Sequence, residues 1–316
     1  MSASLLRSAR VRVPASTANL GAGFDCIGFA VDRWLNASVA VGPDSAGVPE
    51  VTIRREGTLA SLTLPPAADA VVIGFAAACA APGGGRGGRT IPPRLAFELH
   101  SEIPVGRGLG SSSAALVAGA ALANAALELG LDRHELAELC TELEGHPDNV
   151  APAVFGGAVL GVPTGRKDAH RWVFAPIDVH ESLAFAFVVP SVSVETAAAR
   201  AILPKEVPHR LAVQAAARSA ALAHGLTTGN GALLCIALDD VLHVPYRRHL
   251  VPAYSEVVAA ACAAGAFGAT LSGSGSALLA IATHDAVKRV AEAMRHAFVE
   301  HGVAAESFVQ RKVTTL

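Results

Sequence analysis

Lysine is scarce in this chain, and a long uninterrupted hydrophobic run is lacking. Lys167, Lys205, Lys288 and Lys312 are the only lysines among the 316 residues, so the first half of the chain contains none. The composition is nevertheless apolar, with 52% hydrophobic residues and a mean hydropathy of +0.42. The longest uncharged run, residues 257–283, contains the loop-forming sequence Gly-Ala-Thr-Leu-Ser-Gly-Ser-Gly, whereas a membrane-spanning helix needs about 20 consecutive apolar residues. The sequence therefore predicts a large hydrophobic core and no membrane span.

Cysteine, histidine and charge patterns exclude several other classes of protein. The five cysteines are odd in number, lie far apart and never form a C-x-x-C pair, so neither a disulfide framework nor a cysteine zinc site is predicted. The sequence has no H-E-x-x-H metal motif either. The net charge of −2 provides no basic field for a nucleic acid or an anionic membrane. Because residues 1–7 also lack the apolar segment of a signal peptide, we expect a cytoplasmic protein whose partner is a small molecule.

Hydrophobic periodicity predicts an α+β chain in which strands and helices alternate. Alternating β-branched residues predict short strands over 10–14 and 37–41, with loop-forming residues 16–25 between them. Asp132 followed by Glu135 predicts a capping box at the start of a helix over 132–144. Further strands are predicted over 95–101, 184–190 and 276–282, and further helices over 69–81, 112–129, 207–224, 252–264 and 286–301.

The sharpest sequence feature is a glycine-rich loop before the helix over 112–129. Residues 104–114 have the sequence Pro-Val-Gly-Arg-Gly-Leu-Gly-Ser-Ser-Ser-Ala. The glycines allow backbone N–H groups to converge on an anion, and the following helix directs its positive end to the same point. The loop therefore predicts a phosphate-binding site. A plain glycine turn before a helix is the alternative, and the three consecutive serines favour phosphate.

Three common nucleotide-binding loops do not fit this segment. A Walker A loop needs a lysine after its last glycine, and a protein kinase needs a strand lysine beside its glycine loop, but the first half of the chain has no lysine. A dinucleotide-binding fingerprint is disfavoured because the spacing is G-x-G-x-G and no acidic residue ends a second strand at the expected distance. A phosphate bound here must therefore be held by backbone amides, a helix terminus and a metal ion.

Three segments, in order, resemble the motifs of the GHMP kinase superfamily, which includes galactokinase, homoserine kinase and mevalonate kinase. They are residues 13–25, the glycine loop at 104–114 and the segment 268–276. Within the superfamily, the chain is most similar to the homoserine kinase family. The segments that carry this similarity are residues 14–25, 144–152, 193–200 and 245–247.

This resemblance implies a fold and a reaction. The fold is the two-domain α+β GHMP kinase fold, with an N-terminal domain over residues 1–165 that is similar to domain 2 of ribosomal protein S5. A ferredoxin-like C-terminal domain is implied over 166–316, with the boundary in the polar segment 163–171. The reaction is transfer of the γ-phosphoryl group of ATP, with Mg²⁺, to the side-chain hydroxyl of L-homoserine. The family expectation is a homodimer that serves threonine biosynthesis.

The resemblance also implies which residues bind the nucleotide and its metal ion. Ser112 and Glu144 match the family's magnesium ligands, with Glu142 as the alternative carboxylate. One carboxylate, one hydroxyl and several waters suit Mg²⁺. The implied ATP-phosphate loop comprises Pro104, Gly106, Arg107, Gly108, Leu109, Gly110, Ser111, Ser112, Ser113 and Ala114, and the turn that completes it from the second domain comprises Gly273, Ser274 and Gly275, for which a plain hairpin turn is the alternative.

For the substrate, the resemblance implies a pocket that binds an ammonium, a carboxylate and a hydroxyl together. Arg200 and Arg247 match the arginines that bind the carboxylate, for which a guanidinium is the natural partner. The catalytic base is open between Asp25, Asp148 and direct attack by the hydroxyl without a base. The implied substrate-binding residues are Asn19, Asp25, His146, Asp148, Asn149, Thr196, Arg200 and Arg247, and the implied catalytic residues are Asn19, Asp25, Glu144 and Asn149.

One segment departs from the family pattern. Residues 69–72 are Asp-Ala-Val-Val, where many relatives have Asn-Leu-Val or Asn-Leu-Ile beside the adenine. Nucleotide preference is therefore open, and so is the role of the glycine-rich segment 83–88. Two alternative functions are another GHMP kinase with a mevalonate-like or sugar substrate, and a non-catalytic nucleotide-binding protein of the same fold. The two arginines favour an amino-acid substrate, and the implied magnesium ligands favour catalysis.

Overall fold

The structure, a computed structural model of the chain, describes residues 7–42, 50–81, 88–165 and 170–312. In these ranges, ten strands form two sheets and ten α-helices pack around them. Most of the segment 83–88 and part of the segment 163–171 lie outside the described residues. No helix in the described ranges is both long enough and apolar enough to cross a bilayer.

The first sheet is centred on one long strand. This strand, β2 (Gly23–Val41), pairs antiparallel with β1 (Arg7–Asn19) along most of its length. Its second half pairs with β4 (Arg94–Ser101) and its first half with β5 (Ala158–Pro163), both antiparallel. A further strand, β3 (Glu50–Gly57), adds parallel to β4.

A sixth strand, β6 (Trp172–Ile177), pairs antiparallel with β5 and completes the first sheet. The domain boundary predicted at 165/166 therefore falls between two paired strands of one sheet. The next strand along the chain belongs to the second sheet. We therefore infer a division after Ile177, which keeps the first sheet in one piece.

The prediction of a loop over residues 16–25 is wrong for most of this segment. β1 continues to Asn19 and β2 begins at Gly23, so that only residues 20–22 form the turn. Ser16 and Thr17, whose polarity suggested a loop, are fully buried and hydrogen bond to side chains far away in the chain. Because buried polar groups with partners are compatible with a strand, β1 continues through Ser16 and Thr17 to Asn19.

The helices predicted in the first half are confirmed. The side chains of Asp132 and Glu135 each accept the backbone N–H of the other, so the predicted capping box is present. The helix after the glycine loop consists mainly of alanine and other small residues and is largely buried, which accounts for part of the high hydropathy. A short fourth helix was not predicted. The four are α1 (Ala70–Ala80), α2 (Ser111–Leu127), α3 (Arg133–Glu144) and α4 (Val150–Phe155).

The second half contains the other sheet. Its strands, all antiparallel, are β7 (Leu183–Pro190), β8 (Gly268–Leu271), β9 (Leu278–Thr283) and β10 (Ala305–Gln310), in the spatial order β10-β7-β9-β8. Its helices are α5 (Thr196–Ala201), α6 (His209–Thr228), α7 (Gly231–Leu238), α8 (Val244–Arg247), α9 (Tyr254–Ala263) and α10 (Val287–Glu300). The strands and long helices predicted here are confirmed within a few residues, whereas β8, β10, α5, α7 and α8 were not predicted.

The two sheets are held together through the central strand β7. Phe185 and Phe187 on one face of β7 belong to the hydrophobic core of the first sheet, and the ring of Phe29 in β2 lies 4.5 Å from that of Phe185 between centroids. Ala184 and Ala186 on the other face belong to the core of the second sheet. Since buried aromatic side chains contribute strongly to core stability, β7 fixes the position of one sheet relative to the other.

Candidate active site

A cleft gathers the residues that the sequence predicted to act together. It has a volume of about 280 Å³ and is lined by the β1–β2 turn, the glycine loop, the end of α3, α5, α8 and the β8–β9 turn. All the site residues predicted from the sequence line it except Ala114 and Gly275. Ala114 is buried behind the loop, where its N–H donates to the carbonyl of Gly110. The fold therefore brings distant segments of the chain to one place.

The glycine loop is closed against the second half of the chain. Gly108 has φ +76°, and a Cβ at this position would lie 2.1 Å from the carbonyl oxygen of Ser272. The carbonyl of Gly108 accepts a hydrogen bond of 2.7 Å from Ser272 Oγ, and the carbonyl of Arg107 accepts the N–H of Ala277 at 3.0 Å. Only glycine permits both this backbone conformation and this close approach. The loop is thus shaped by protein contacts before a ligand binds.

Helix α2 presents its N-terminus to the cleft. Gly110, with φ +68°, is its N-cap, and no side chain in the described part of the protein caps this helix. Its first N–H groups are therefore available to an anion, and the helix dipole favours negative charge at this end. Ser111 and Ser112 of the first turn line the same cleft. This arrangement is what a phosphate-binding site requires.

The carboxylate of Glu144 lies against the first turn of α2. Ser113 Oγ donates a hydrogen bond of 2.9 Å to Glu144 Oε1, and Ser113 is 1% exposed. The sequence predicted Ser112 and Glu144 as ligands of one metal ion; in the structure Ser113 makes the direct contact with Glu144, while Ser112 is exposed to the cleft. Glu142, the alternative carboxylate, pairs with Arg171 at 2.7 Å, and neither of these two residues lines the cleft. The geometry thus favours Glu144 over Glu142 as the carboxylate of the cleft that could bind a metal ion.

The β1–β2 turn and the strand ends beside it have an uncommon backbone conformation, which an amide side chain holds in place. Asn19 and Asp25 have φ of +72° and +54°, a conformation that costs about 1–3 kcal/mol for residues other than glycine and is frequent at functional sites. Asn19 Nδ2 donates to the carbonyl of Gly273 at 2.9 Å, and its Oδ1 accepts the N–H of Asp25 at 3.0 Å. Asn19 therefore joins the β1–β2 turn to the β8–β9 turn and fixes the position of Asp25.

Asp25 and Arg200 form a two-point ion pair within the cleft. Arg200 Nη1 and Nη2 donate to different oxygens of the Asp25 carboxylate, each at 2.9 Å. Their side chains are 32% and 42% exposed for Asp25 and Arg200 respectively, so a small molecule in the cleft has access to both. The sequence placed both residues in the substrate site, but it did not predict their pairing.

Arg247 is the second arginine of the cleft, and it is almost completely buried. Its Nε donates to the carbonyl of Ala199 at 2.9 Å, and its guanidinium carbon lies 5.2 Å from the centroid of the Phe24 ring. Burial, followed by the positive charge of Arg200, lowers the pKa of Arg247. A further anion between the two arginines would reduce their repulsion. The site therefore favours a ligand that carries an anionic group.

His146 and Asp148 form a buried pair beside these charges. His146 Nδ1 lies 2.7 Å from Asp148 Oδ1. Burial by itself lowers the pKa of His146, but the hydrogen bond and charge of Asp148, helped by two further carboxylates of the cleft, outweigh burial and raise this pKa above its ordinary value. His146 therefore keeps its ring proton to a higher pH than a free imidazole does, at the charged end of the cleft.

We expect His146→Gln to lower the melting temperature more at pH 5.5 than at pH 8.5. Because the pKa in the folded state is raised above the unfolded value of about 6.5, the stabilisation by protonated His146 is complete below that value. It is lost as the pH rises through the pKa of the folded state. Thermal unfolding at the two pH values measures this difference. Asp148→Asn tests the cause, since without this carboxylate the pH-dependent part of the melting temperature should also decrease. An equal loss of melting temperature at both pH values in His146→Gln would contradict the prediction.

The other end of the cleft is apolar and contains the departure from the family pattern. Leucines of the segment 59–64 line it together with Ala70. Asp69 does not replace the missing amide, because its carboxylate pairs with Arg55 at 2.7 Å and accepts the N–H that begins α1. An apolar pocket end with few polar groups suits a flat heterocyclic ring.

Several residues that hold the site in place were not predicted. Ser16 Oγ donates to Asn149 Oδ1 at 3.0 Å. The buried ring of His243 stacks on Phe24, with centroids 4.9 Å apart and planes at 19°. Ser16 and Phe24 lie inside the first sequence motif, which is the available signal for them. His243 lies two residues before the motif segment 245–247, which is the available signal for it in the sequence.

Known proteins are similar to this chain in sequence and in fold. Residues 71–157 match the family described as GHMP kinases N terminal domain, and residues 217–300 match the family described as GHMP kinases C terminal. A homoserine kinase from Synechococcus sp. is 40% identical over 285 residues, which cover 90% of this chain and 89% of that protein. A homoserine kinase from Picosynechococcus sp. is 37% identical over 306 residues, with 96% of each chain covered. The crystal structure of homoserine kinase from Cytophaga hutchinsonii has a TM-score of 0.83 at 29% identity, over 100% of this chain and 98% of that one.

Proposed function

We propose a reaction for this cleft from one premise: the chain belongs to the homoserine kinase family of the GHMP kinases. The reaction is transfer of the γ-phosphoryl group of ATP to the side-chain hydroxyl of L-homoserine, which gives O-phospho-L-homoserine for threonine biosynthesis. The observation that carries the proposal is that one cleft holds both the glycine loop at the N-terminus of α2 and a group of two arginines and two aspartates. The first suits the phosphates of ATP, and the second suits a zwitterionic amino acid.

The charged groups of the cleft suggest how the substrate is oriented. Arg200 already binds a carboxylate, that of Asp25, in the two-point geometry typical of arginine. The α-carboxylate of homoserine joins Arg200 and Arg247, and Asp25 then turns toward the α-ammonium. The side-chain hydroxyl is thereby directed toward the glycine loop. This orientation uses each charge of the amino acid against an opposite charge of the protein.

The junction of α2 and α3 fits Mg²⁺. Ser113 bonds one oxygen of Glu144 and so orients the carboxylate, and the hydroxyl of Ser112 lies in the same cleft. A carboxylate, a hydroxyl and phosphate oxygens are the ligands that this hard cation prefers. We propose Glu144 and Ser112 as its protein ligands, with Ser113 as the residue that orients Glu144. When bound, Mg²⁺ neutralises negative charge on the phosphate oxygens.

Phosphoryl transfer requires of the protein mainly positioning and charge stabilisation. N–H groups of the glycine loop and of α2 hold the phosphates, and Asn19 fixes the turn that carries Asp25. Both candidate bases are engaged in the proposed orientation: His146 holds Asp148, and the substrate ammonium takes the place of Arg200 beside Asp25. This engagement supports direct attack of the homoserine hydroxyl on the γ-phosphate over proton removal by either carboxylate.

The experiment that tests the reaction measures ADP release with ATP and Mg²⁺ against homoserine, threonine, mevalonate and galactose. We expect kcat/KM for homoserine to exceed that for the others by at least about 10²-fold, because buried polar groups left unpaired by a wrong substrate are costly. Mass spectrometry of the phosphorylated product checks the identity of the acceptor, and a reaction without acceptor gives the background.

Two outcomes of this experiment would contradict the proposal. A preference for mevalonate or galactose would support the alternative of another GHMP kinase. Background rates with all four acceptors would support a non-catalytic nucleotide-binding protein. A homodimer stays a prediction from the family resemblance, and a cytoplasmic location stays a prediction from the sequence of residues 1–7.

A further inference from the structure

A second group of metal-ligating side chains lies outside the cleft. His134 and Glu138 are one turn apart on α3, and His170 lies just before β6. His170 Nδ1 is 3.0 Å from Glu138 Oε2, and His134 Nδ1 is 3.9 Å from the same oxygen. One ligand atom from each of the three side chains lies within 4.8 Å of the other two. None of the three residues lines the cleft.

These separations are those of a metal-binding site. A tetrahedral metal ion with bonds of about 2.0–2.1 Å to nitrogen and oxygen holds its ligand atoms roughly 3.3 Å apart, which lies between the two measured distances. Two imidazole nitrogens and one carboxylate oxygen suit Zn²⁺ and similar divalent transition metals. Mg²⁺, the ion proposed for the cleft, prefers oxygen ligands alone. The ligand types therefore distinguish this site from the cleft.

The protein alone leaves one of these ligand atoms unsatisfied. His134 Nδ1 is buried and has no hydrogen-bond partner among the described residues, and a buried polar atom without a partner destabilises the folded state. The other carboxylate oxygen of Glu138 accepts the backbone N–H of Arg171. Such an outer hydrogen bond is what orients a ligating carboxylate in metal sites.

The surroundings leave the site open to solvent on one side. The side chain of His170 is 61% exposed, whereas that of Glu138 is 17% exposed. The ring of His134 packs against that of Phe174 in β6, with centroids 5.2 Å apart. Two ligands are thus held by packing or hydrogen bonds, while a metal ion and a water molecule can approach from the side of His170.

We propose that His134, Glu138 and His170 bind one Zn²⁺ or similar divalent transition-metal ion, which cross-links α3 to the segment that leads into β6. In the bound form, the metal takes the place of the hydrogen bond between His170 and Glu138 and satisfies His134 Nδ1. The role of the ion is structural, because it joins α3 to the residues before β6 in the part of the chain that contains the first sheet. α3 ends at Glu144, so the cross-link also holds the helix that carries this cleft residue.

The test is isothermal titration of the full-length, metal-free protein with Zn²⁺, together with Co²⁺ absorption spectra that report the ligand geometry. We expect one Zn²⁺ per chain at this site and a higher melting temperature in its presence, since a ligand that binds the folded state raises stability. His170→Ala and Glu138→Gln should each weaken Zn²⁺ binding by at least about tenfold. His170 is exposed, so its variant is expected to fold, as circular dichroism will show.

A matched control is available on another helix. His296 and Glu300 form a histidine–glutamate pair with the same i,i+4 spacing on α10, but no third ligand belongs to that pair in the described ranges. His296→Ala should therefore leave Zn²⁺ binding unchanged. Loss of binding in His296→Ala with retention in His170→Ala would overturn the proposal.

The cleft provides the second control. Asp25, His146 and Asp148 also place possible ligand atoms within 4.8 Å of one another. His146→Ala should keep the Zn²⁺ binding that His170→Ala removes. If His146→Ala loses that binding and the His170 and Glu138 variants keep it, the metal binds in the cleft and the proposal is wrong. Absence of Zn²⁺ binding in the unmodified protein would overturn it as well.

Discussion

Glu144→Ala is expected to lower kcat by about 10²- to 10³-fold, the loss found when one electrostatic contact to a transition state is removed. Glu144 is the last residue of α3, and Ser113 holds its carboxylate at the first turn of α2. The substitution removes the proposed carboxylate ligand of Mg²⁺ from the phosphate end of the cleft. Steady-state kinetics at saturating ATP, Mg²⁺ and homoserine measure kcat, and circular dichroism checks that the fold is unchanged.

Glu142→Ala is the matched control for this prediction. The Glu142 carboxylate lies two residues away on the same helix and pairs with the exposed Arg171 outside the cleft. Because a surface ion pair contributes little, kcat should stay close to that of the unmodified protein. Near-normal kcat in Glu144→Ala, with a large loss in Glu142→Ala, would transfer the metal role to Glu142. Ser113→Ala should have a smaller effect than Glu144→Ala, because it leaves the carboxylate in place.

Features that depend on neighbouring residues could be predicted from the sequence. The capping box of Asp132 and Glu135 marks the start of α3, since both partners lie within one turn. The glycine loop predicts an anion site for the same reason. The glycines that allow its backbone conformations and the start of the following helix both lie within residues 104–114. Neither conclusion required knowledge of a distant contact.

Features that depend on distant residues could not be predicted in this way. The polar residue Ser16 looks like part of a loop until Asn149, 133 positions away, is placed beside it. The ion pair of Asp25 and Arg200 joins positions 175 residues apart. The resemblance to a family placed Asn149, Asp25 and Arg200 in one site, but the contacts that these residues make are a product of the fold.

The choice between two adjacent serines shows how small a structural difference decides a residue's role. The sequence predicted that the helix begins at Ser112, whereas α2 begins at Ser111 with Gly110 as its N-cap. One residue corresponds to a rotation of about 100° around a helix axis. Adjacent serines on α2 therefore point in different directions, and Ser113 is the one that reaches Glu144. Which serine makes this contact depends on where the end of α3 lies beside α2, and the positions of the two serines in the sequence do not give that.

The environment of Arg247 explains why its removal should affect one substrate selectively. A buried guanidinium is costly unless its donors are used. The carbonyl of Ala199 takes one donor, Nη1 lies 3.4 Å from His243 Nδ1, and the ring of Phe24 lies beside the charge. Arg247 nevertheless lines the cleft at the end that holds Asp25 and Arg200. A carboxylate bound there completes its interactions, whereas the phosphates of ATP belong to the glycine loop.

Arg247→Ala is therefore expected to raise the KM for homoserine by about 10- to 100-fold, the size of a charge-assisted hydrogen bond worth roughly 1.5–3 kcal/mol, with little change in the KM for ATP. Arg248→Ala is the control, because Arg248 is adjacent in sequence but exposed. Initial rates with each substrate varied in turn separate the two KM values. A selective rise in the KM for ATP would place Arg247 in the nucleotide pocket. An equal rise in both KM values would indicate a disturbed fold, since loss of a carboxylate contact alone acts on homoserine.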